Sequence, residues 1–159
     1  MPMTLRQSIL ISLTTLLSCT STTSNKEMQT NEGSKYTVGL SFINSYVNYC
    51  NQAGSDIDLY QWIEKQTTVS SNFKAEFQRI IIEAEKEDPE LGLDFDPILD
   101  AQDFPDRFEM ESENADYLIV KGENWPAFQL TLKLALEEGR WLVDGSGIIN
   151  VPIEKRARR

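Results

Sequence analysis

The sequence predicts an α+β domain with N-terminal helices packed on one face of an antiparallel sheet of about four strands. Three observations carry that class. Up to residue 88 the apolar side chains recur at intervals of three and four, the period of an amphipathic helix. After residue 107 the period shortens to two, most clearly where Phe128, Leu130, Leu132, Leu134 and Leu136 alternate with Gln129, Thr131, Lys133, Ala135 and Glu137. The helical pattern comes first and the strand pattern second, without interleaving, which favours an antiparallel meander over a parallel βαβ array.

The elements follow in order. Phe42, Tyr46 and Cys50, flanked by Ile43 and Val47, make one apolar face of a helix near residues 36–51, ended by Ala53-Gly54-Ser55. Asp58, with Gln61 three positions on, has the arrangement of a capping box and predicts a short helix carrying Leu59, Trp62 and Ile63. Phe73, Phe77, Ile80 and Ala84 set the inner face of a third helix, with Lys74, Glu76, Gln78, Arg79 and Glu85 turned outward. That helix must stop by Asp88, because Pro89 excludes helical backbone before it and has no N–H to donate. Residues 108–111 and 117–120 are strand candidates joined through 112–116, and residues 128–136 form the third. Glu137-Glu138-Gly139-Arg140 supplies a hairpin turn, Gly139 being free to take positive φ, and a fourth strand returns from Trp141. Gly145 and Gly147 are read as a bulge or bend in that strand. They are not a nucleotide fingerprint, since Asn150 stands at the third glycine position and Pro152 follows where a helix would open.

The N-terminus carries an address. Residues 1–18 hold one cation, Arg6, an apolar stretch over 9–17, and a small residue before Cys19, which is the anatomy of a secretory signal. The apolar stretch is shorter than the roughly 20 residues a membrane span requires. Leu16-Leu17-Ser18-Cys19 resembles the lipobox of bacterial lipoproteins, and that resemblance implies cleavage before Cys19 and lipid on its thiol. The expected organisation is therefore a signal at 1–18, a flexible polar tether at 19–34, one domain at 35–153 and a solvated basic tail at 154–159. The residues after Cys19 lack the acidic run that resembles a surface-export signal, so a periplasm-facing envelope location is expected.

Composition removes several classes of function. With 25 acidic against 15 basic residues the net charge is −10, which argues against nucleic acid as a partner, since phosphate contacts need a clustered positive surface. There is no histidine, which excludes Ser-His-Asp and Cys-His catalysis and imidazole-ligated zinc. Once Cys19 is acylated, Cys50 has no partner for an internal disulfide, and its place on the apolar stripe predicts a buried, inert thiol. Residues 83–116 contain 14 acidic side chains against Lys86 and Arg107. Within them Asp94, Asp96, Asp100, Asp103 and Asp106 are candidates for an acidic face toward a protein partner with a basic surface. The alternative is a solvated loop with aspartates at turn positions. An EF-hand is excluded, since Leu99 stands where that loop needs glycine and Pro105 where it needs the bidentate glutamate; no metal or cofactor is expected.

The helical first half, the segment from Asp94 through Asp103, and the ending Trp141-Leu142-Val143-Asp144-Gly145 resemble a family of exported bacterial proteins, many of them lipoproteins, known only as a domain of unknown function. The likeness covers residues 36–153. That family is similar in fold to the nuclear transport factor 2-like cone, which implies a curved sheet wrapped around helices and a pocket. Tyr46, Tyr49, Trp62, Trp125 and Trp141 are then candidates for the pocket lining, with Asp144 or Asp100 as a polar group near it. The catalytic motifs of the enzymatic branches of that fold have no counterpart here. The expectation is a non-catalytic binding or interaction module, the alternatives being an immunity protein against a secreted toxin or a histidine-free lyase or isomerase using a pocket carboxylate.

Overall fold

The computed structural model of the protein describes residues 32–52 and 57–157; the expected signal, Cys19, the tether up to residue 31 and Ala53-Gly54-Ser55 lie outside the described residues. Three helices precede four strands: α1, Glu32–Asn51; α2, Leu59–Lys65; α3, Ser71–Glu87; β1, Phe108–Glu113; β2, Tyr117–Gly122; β3, Gln129–Glu137; and β4, Arg140–Ser146. The strands lie in the order β1-β2-β3-β4, every neighbouring pair antiparallel, in an open sheet with the helices on one face. The α+β class is thus as the sequence predicts. The first helix begins earlier than expected, so residues 32–34, assigned to the tether, are helical.

Local chemistry sets the helix ends. Asp58 caps α2 by accepting the Gln61 N–H at 2.8 Å, and Ser70 caps α3 by accepting that of Phe73 at 3.0 Å. Asp88 ends α3 directly ahead of Pro89. On α1, Phe42, Ile43, Tyr46 and Val47 are buried in the core. Cys50 is exposed, contrary to the expectation of a buried thiol, because the last turn of α1 runs past the core.

The sheet's inner face is built from cross-strand pairs. Leu118 opposes Leu132, Val120 opposes Leu130, and Leu134 opposes Val143, all buried beneath the helices. Leu136 continues the alternation but is 50% exposed, since the hairpin end of β3 extends beyond the helical layer. The hairpin closes through Glu138 and Gly139, both at positive φ (50° and 77°), as a two-residue turn of the primed type requires. A bulge in β4 opposite Lys133 and Leu134 leaves Asp144 between ladder positions, in accord with a bend in that strand.

One addition to the sheet is not legible in the sequence. Residues 68–70 run parallel to β4, with Val143 N–H donating to Thr68 O (2.8 Å) and Ser70 N–H to Val143 O (3.0 Å), so the outer side of β4 is taken. At the other margin β1 pairs only with β2, and its register breaks between Met110 and Ser112. The chain end also departs from the expected solvated coil. Residues 153–155 form a 3-10 turn, and Thr131 Oγ1 on the sheet's outer face both donates to Lys155 O (3.0 Å) and accepts from Ala157 N (2.9 Å). A buried threonine hydroxyl needs partners, and the tail supplies them.

Candidate functional site

The acidic stretch folds around one inward-turned carboxylate. Asp96 Oδ1 accepts from the N–H groups of Ile98 (2.8 Å) and Leu99 (2.9 Å), and Oδ2 accepts from the Tyr46 hydroxyl at 2.5 Å. The backbones of Asp96 and Ala101 bond to each other in both directions, closing the loop into a ring. Ile98 and Leu99 are buried beneath the end of β4, where Ser146 Oγ donates to Ile98 O (2.7 Å) and Ile148 N–H to Pro97 O (3.0 Å). Gly147 makes that approach possible: it sits at φ 58°, and a Cβ there would fall 2.4 Å from Pro97 O. Burial pushes the Asp96 carboxyl above its ordinary range, only partly offset by the bonds from Tyr46, Leu99 and Ile98. Burial, followed by the Asp96 charge, likewise raises the Tyr46 phenol. Asp96 therefore braces the loop and is not part of an exposed acidic face.

Asp94 and Asp103 are exposed, and Asp106, also exposed, accepts from Asn51 Nδ2 at 3.3 Å. Asp100 is half-buried at positive φ, 53°. Beside this loop the β2–β3 connection forms a second wall. Trp125 begins a turn with Pro126 next in line, its carbonyl accepting the Phe128 N–H at 2.9 Å, a placement that proline at the second position favours. The indole, 45% exposed, packs at 5.2 Å and 61° against Phe128, which packs in turn on Phe108. Gly122 lets the two walls meet, because a Cβ at that position would lie 2.4 Å from Pro105 Cγ. Between the walls opens a cleft of about 390 Å³ lined by Ala101, Gln102, Asp103, Trp125, Ala127 and Phe128. The Gln102 amide is held by donation to Asp94 O at 2.9 Å.

The other candidate lining residues sit elsewhere. Tyr46, Tyr49 and Trp62 form a ring cluster with Phe42, at centroid separations from 5.2 to 6.4 Å, and the Tyr49 hydroxyl donates to Ile57 O. Their role there is packing between α1 and α2. Trp141 lies under the Lys35 ammonium, 5.6 Å from the ring centroid, and its buried Nε1 has no partner among the described residues. Lys35 also donates to Asn114 O and Ala115 O and pairs with Glu113 at 3.3 Å, which ties the start of α1 to the β1–β2 turn.

Asp144 is the centre of a polar network. Its Oδ1 accepts from Ser70 Oγ (2.6 Å) and Asn72 Nδ2 (3.2 Å), and its Oδ2 from Lys133 Nζ (2.7 Å). Burial raises its carboxyl, but the bonds from Lys133, Ser70 and Asn72 and the Lys133 charge outweigh that and hold it below the ordinary range. The network joins α3's cap to the bulge of β4, so its work is structural. Lys133 is accordingly not a free solvent-facing residue of β3.

No protein-family model, no curated protein and no solved structure matches the chain. A larger groove of about 630 Å³ runs along α1, lined mostly by hydroxyls and amides such as Ser41, Ser45 and Asn48, with Asp106 and Arg107 at its edge. Asn44, at the same groove, exchanges two bonds with the Phe108 backbone (2.8 and 3.0 Å) and so serves to dock β1 on α1. The cleft at Trp125 differs in offering an aromatic surface, a fixed amide and a carboxylate together, the combination suited to a flat cation. In the sequence Trp125 belongs to the candidate pocket lining and Asp103 to the acidic stretch. Pro126, which puts Trp125 at a turn, was the available signal; that this turn lies against residues 101–103 follows only from the tertiary fold.

Proposed function

We propose that the protein is a lipid-anchored, non-catalytic interaction module of the bacterial cell envelope, held to a membrane by lipid on Cys19 and recognising a protein partner with a basic face. The observation that carries this reading is the polarity of the domain. Lys35 ties the start of α1, where the tether joins, to the β1–β2 turn, whereas the acidic loop and the β2–β3 turn lie at the opposite end of the strands. α1 spans 20 residues, roughly 30 Å at helical rise, so the exposed carboxylates of that loop stand away from the attachment point. No helix among the described residues is long and apolar enough to cross a membrane, so in this reading the lipid supplies the anchor.

The non-catalytic part of the proposal is supported by the use of the Tyr46–Asp96 pair. A buried carboxylate facing a tyrosine is the arrangement a histidine-free lyase or isomerase would employ, yet here the carboxylate is engaged by Tyr46, Ile98 and Leu99 as the brace of its own loop. The test has two arms. Labelled fatty acid should enter the wild-type chain and not Cys19→Ala; equal incorporation sinks the anchor. Partner capture from envelope extract should weaken, and lose its salt dependence, when Asp94, Asp100, Asp103 and Asp106 are exchanged for Asn. Unchanged capture by that variant sinks the acidic surface.

A further inference from the structure

We infer that the cleft between residues 101–103 and the β2–β3 turn is a receptor for an arginine side chain of a protein partner, with Trp125 as the stacking surface and Asp103 as the counter-charge. The inference rests on the interaction-module reading and gives it a contact. Trp125 lines the cleft with 45% of its surface exposed, while its neighbour Phe128 is buried. It is held in place by the turn bond from Phe128 N–H to Trp125 O and by the ring contact with Phe128, so little order need be imposed on binding. Across the cleft Asp103 is exposed, and no hydrogen bond or ion pair among the described residues engages its carboxylate. The nearby cation, Arg107, is paired with Glu123 at 2.9 Å.

Charge selects the occupant. The cleft belongs to a chain of net charge −10, and Asp103 in its lining sits in a stretch with 14 acidic residues over 83–116, which disfavours an anionic or acidic ligand. A guanidinium fits both walls: it is planar, it stacks on an indole face, and its paired N–H groups match a carboxylate. An ammonium makes the charge contact but offers no plane to stack. The cleft volume of about 390 Å³, open to solvent, accepts a side chain presented from a protein surface.

The experiment uses the full chain and three blocked tripeptides, Gly-Arg-Gly, Gly-Lys-Gly and the neutral isostere Gly-citrulline-Gly, with the Trp125 indole N–H resonance as readout, assigned by its loss in Trp125→Phe. The arginine peptide is expected to shift that resonance in a saturable way with an affinity in the millimolar range. Asp103→Asn should weaken binding roughly threefold or more, and citrulline should fail at the same concentration. Equal shifts with citrulline, an Asp103→Asn chain that binds as well as wild type, or a lysine peptide that binds more tightly than the arginine one would each overturn the assignment. No shift with any peptide, while capture of the envelope partner remains salt-dependent, would remove this site and leave the wider interaction reading standing.

Discussion

At the scale of single residues the molecule separates carboxylates that brace from carboxylates that face water. Asp144, 8% exposed, depends on Lys133, which is 31% exposed. Lys133→Asp would set two carboxylates against each other with one of them buried. The expected loss is about 3 kcal/mol in urea unfolding, at the lower end for a broken buried pair because Lys133 keeps some contact with water. The sequence pattern alone suggests the opposite, a tolerated change on a polar face, since alternation reports which side a residue points to and not what crosses to meet it. Asp96 and Asp144 should also shape the pH profile in opposite directions. The folded Asp96 binds its proton more tightly than the unfolded chain does, so its contribution is fullest below the ordinary value of 3.8 and is lost as pH rises through the raised folded pKa. Asp144, lowered, contributes above 3.8, and that contribution is lost as pH falls through its folded pKa. In Asp96→Asn, where the amide oxygen still accepts from Ile98 and Leu99, melting temperatures measured from about pH 4 to 7 should fall less with rising pH than in wild type. A parallel pair of curves would show that Asp96 does not titrate in that window.

At the scale of elements the period of the sequence was a faithful guide. Among the described residues each helix and strand falls on its expected stretch, α1 alone starting earlier by a turn, because one buried face per element is a local property of the chain. Short, sequence-distant features were not legible: the parallel run of 68–70 beside β4, the return of the tail to Thr131, and the docking of β1 by Asn44. Each is made by one to three residues, too few to leave a period, and each depends on a partner tens of positions away. The candidate site was legible only as parts, since Trp125 and Asp103 come to line one cleft through a loop packing that Gly122 and Pro105 allow. The end of the alternation in β3 yields a direct test. Leu132→Asp buries a charge beneath the helices and should abolish cooperative folding, whereas Leu136→Asp, four residues on along the same face, should cost no more than about 1 kcal/mol. Comparable thermal melts for the two chains, followed by circular dichroism, would contradict the position of the helical layer.

At the scale of the whole molecule the dominant quantity is charge. A chain of net charge −10 repels itself when folded, and screening relieves that repulsion. The melting temperature should rise as sodium chloride increases from about 0.01 to 0.15 M; a fall would mean that the described ion pairs outweigh the repulsion. Charge also settles what the open margin of the sheet can do. Strand β1 carries Glu109, Glu111 and Glu113 and a break in its register, while the far side of β4 is already occupied by residues 68–70. A second copy laid against β1 would bring like carboxylates together along a kinked line of backbone donors and acceptors. Molecules confined to two dimensions meet far more often than in dilute solution, and flat, uncharged borders would then polymerise. If the protein is lipid-anchored as proposed, β1 disfavours edge-to-edge growth between crowded copies, and each cleft is expected to stay open to its own encounter.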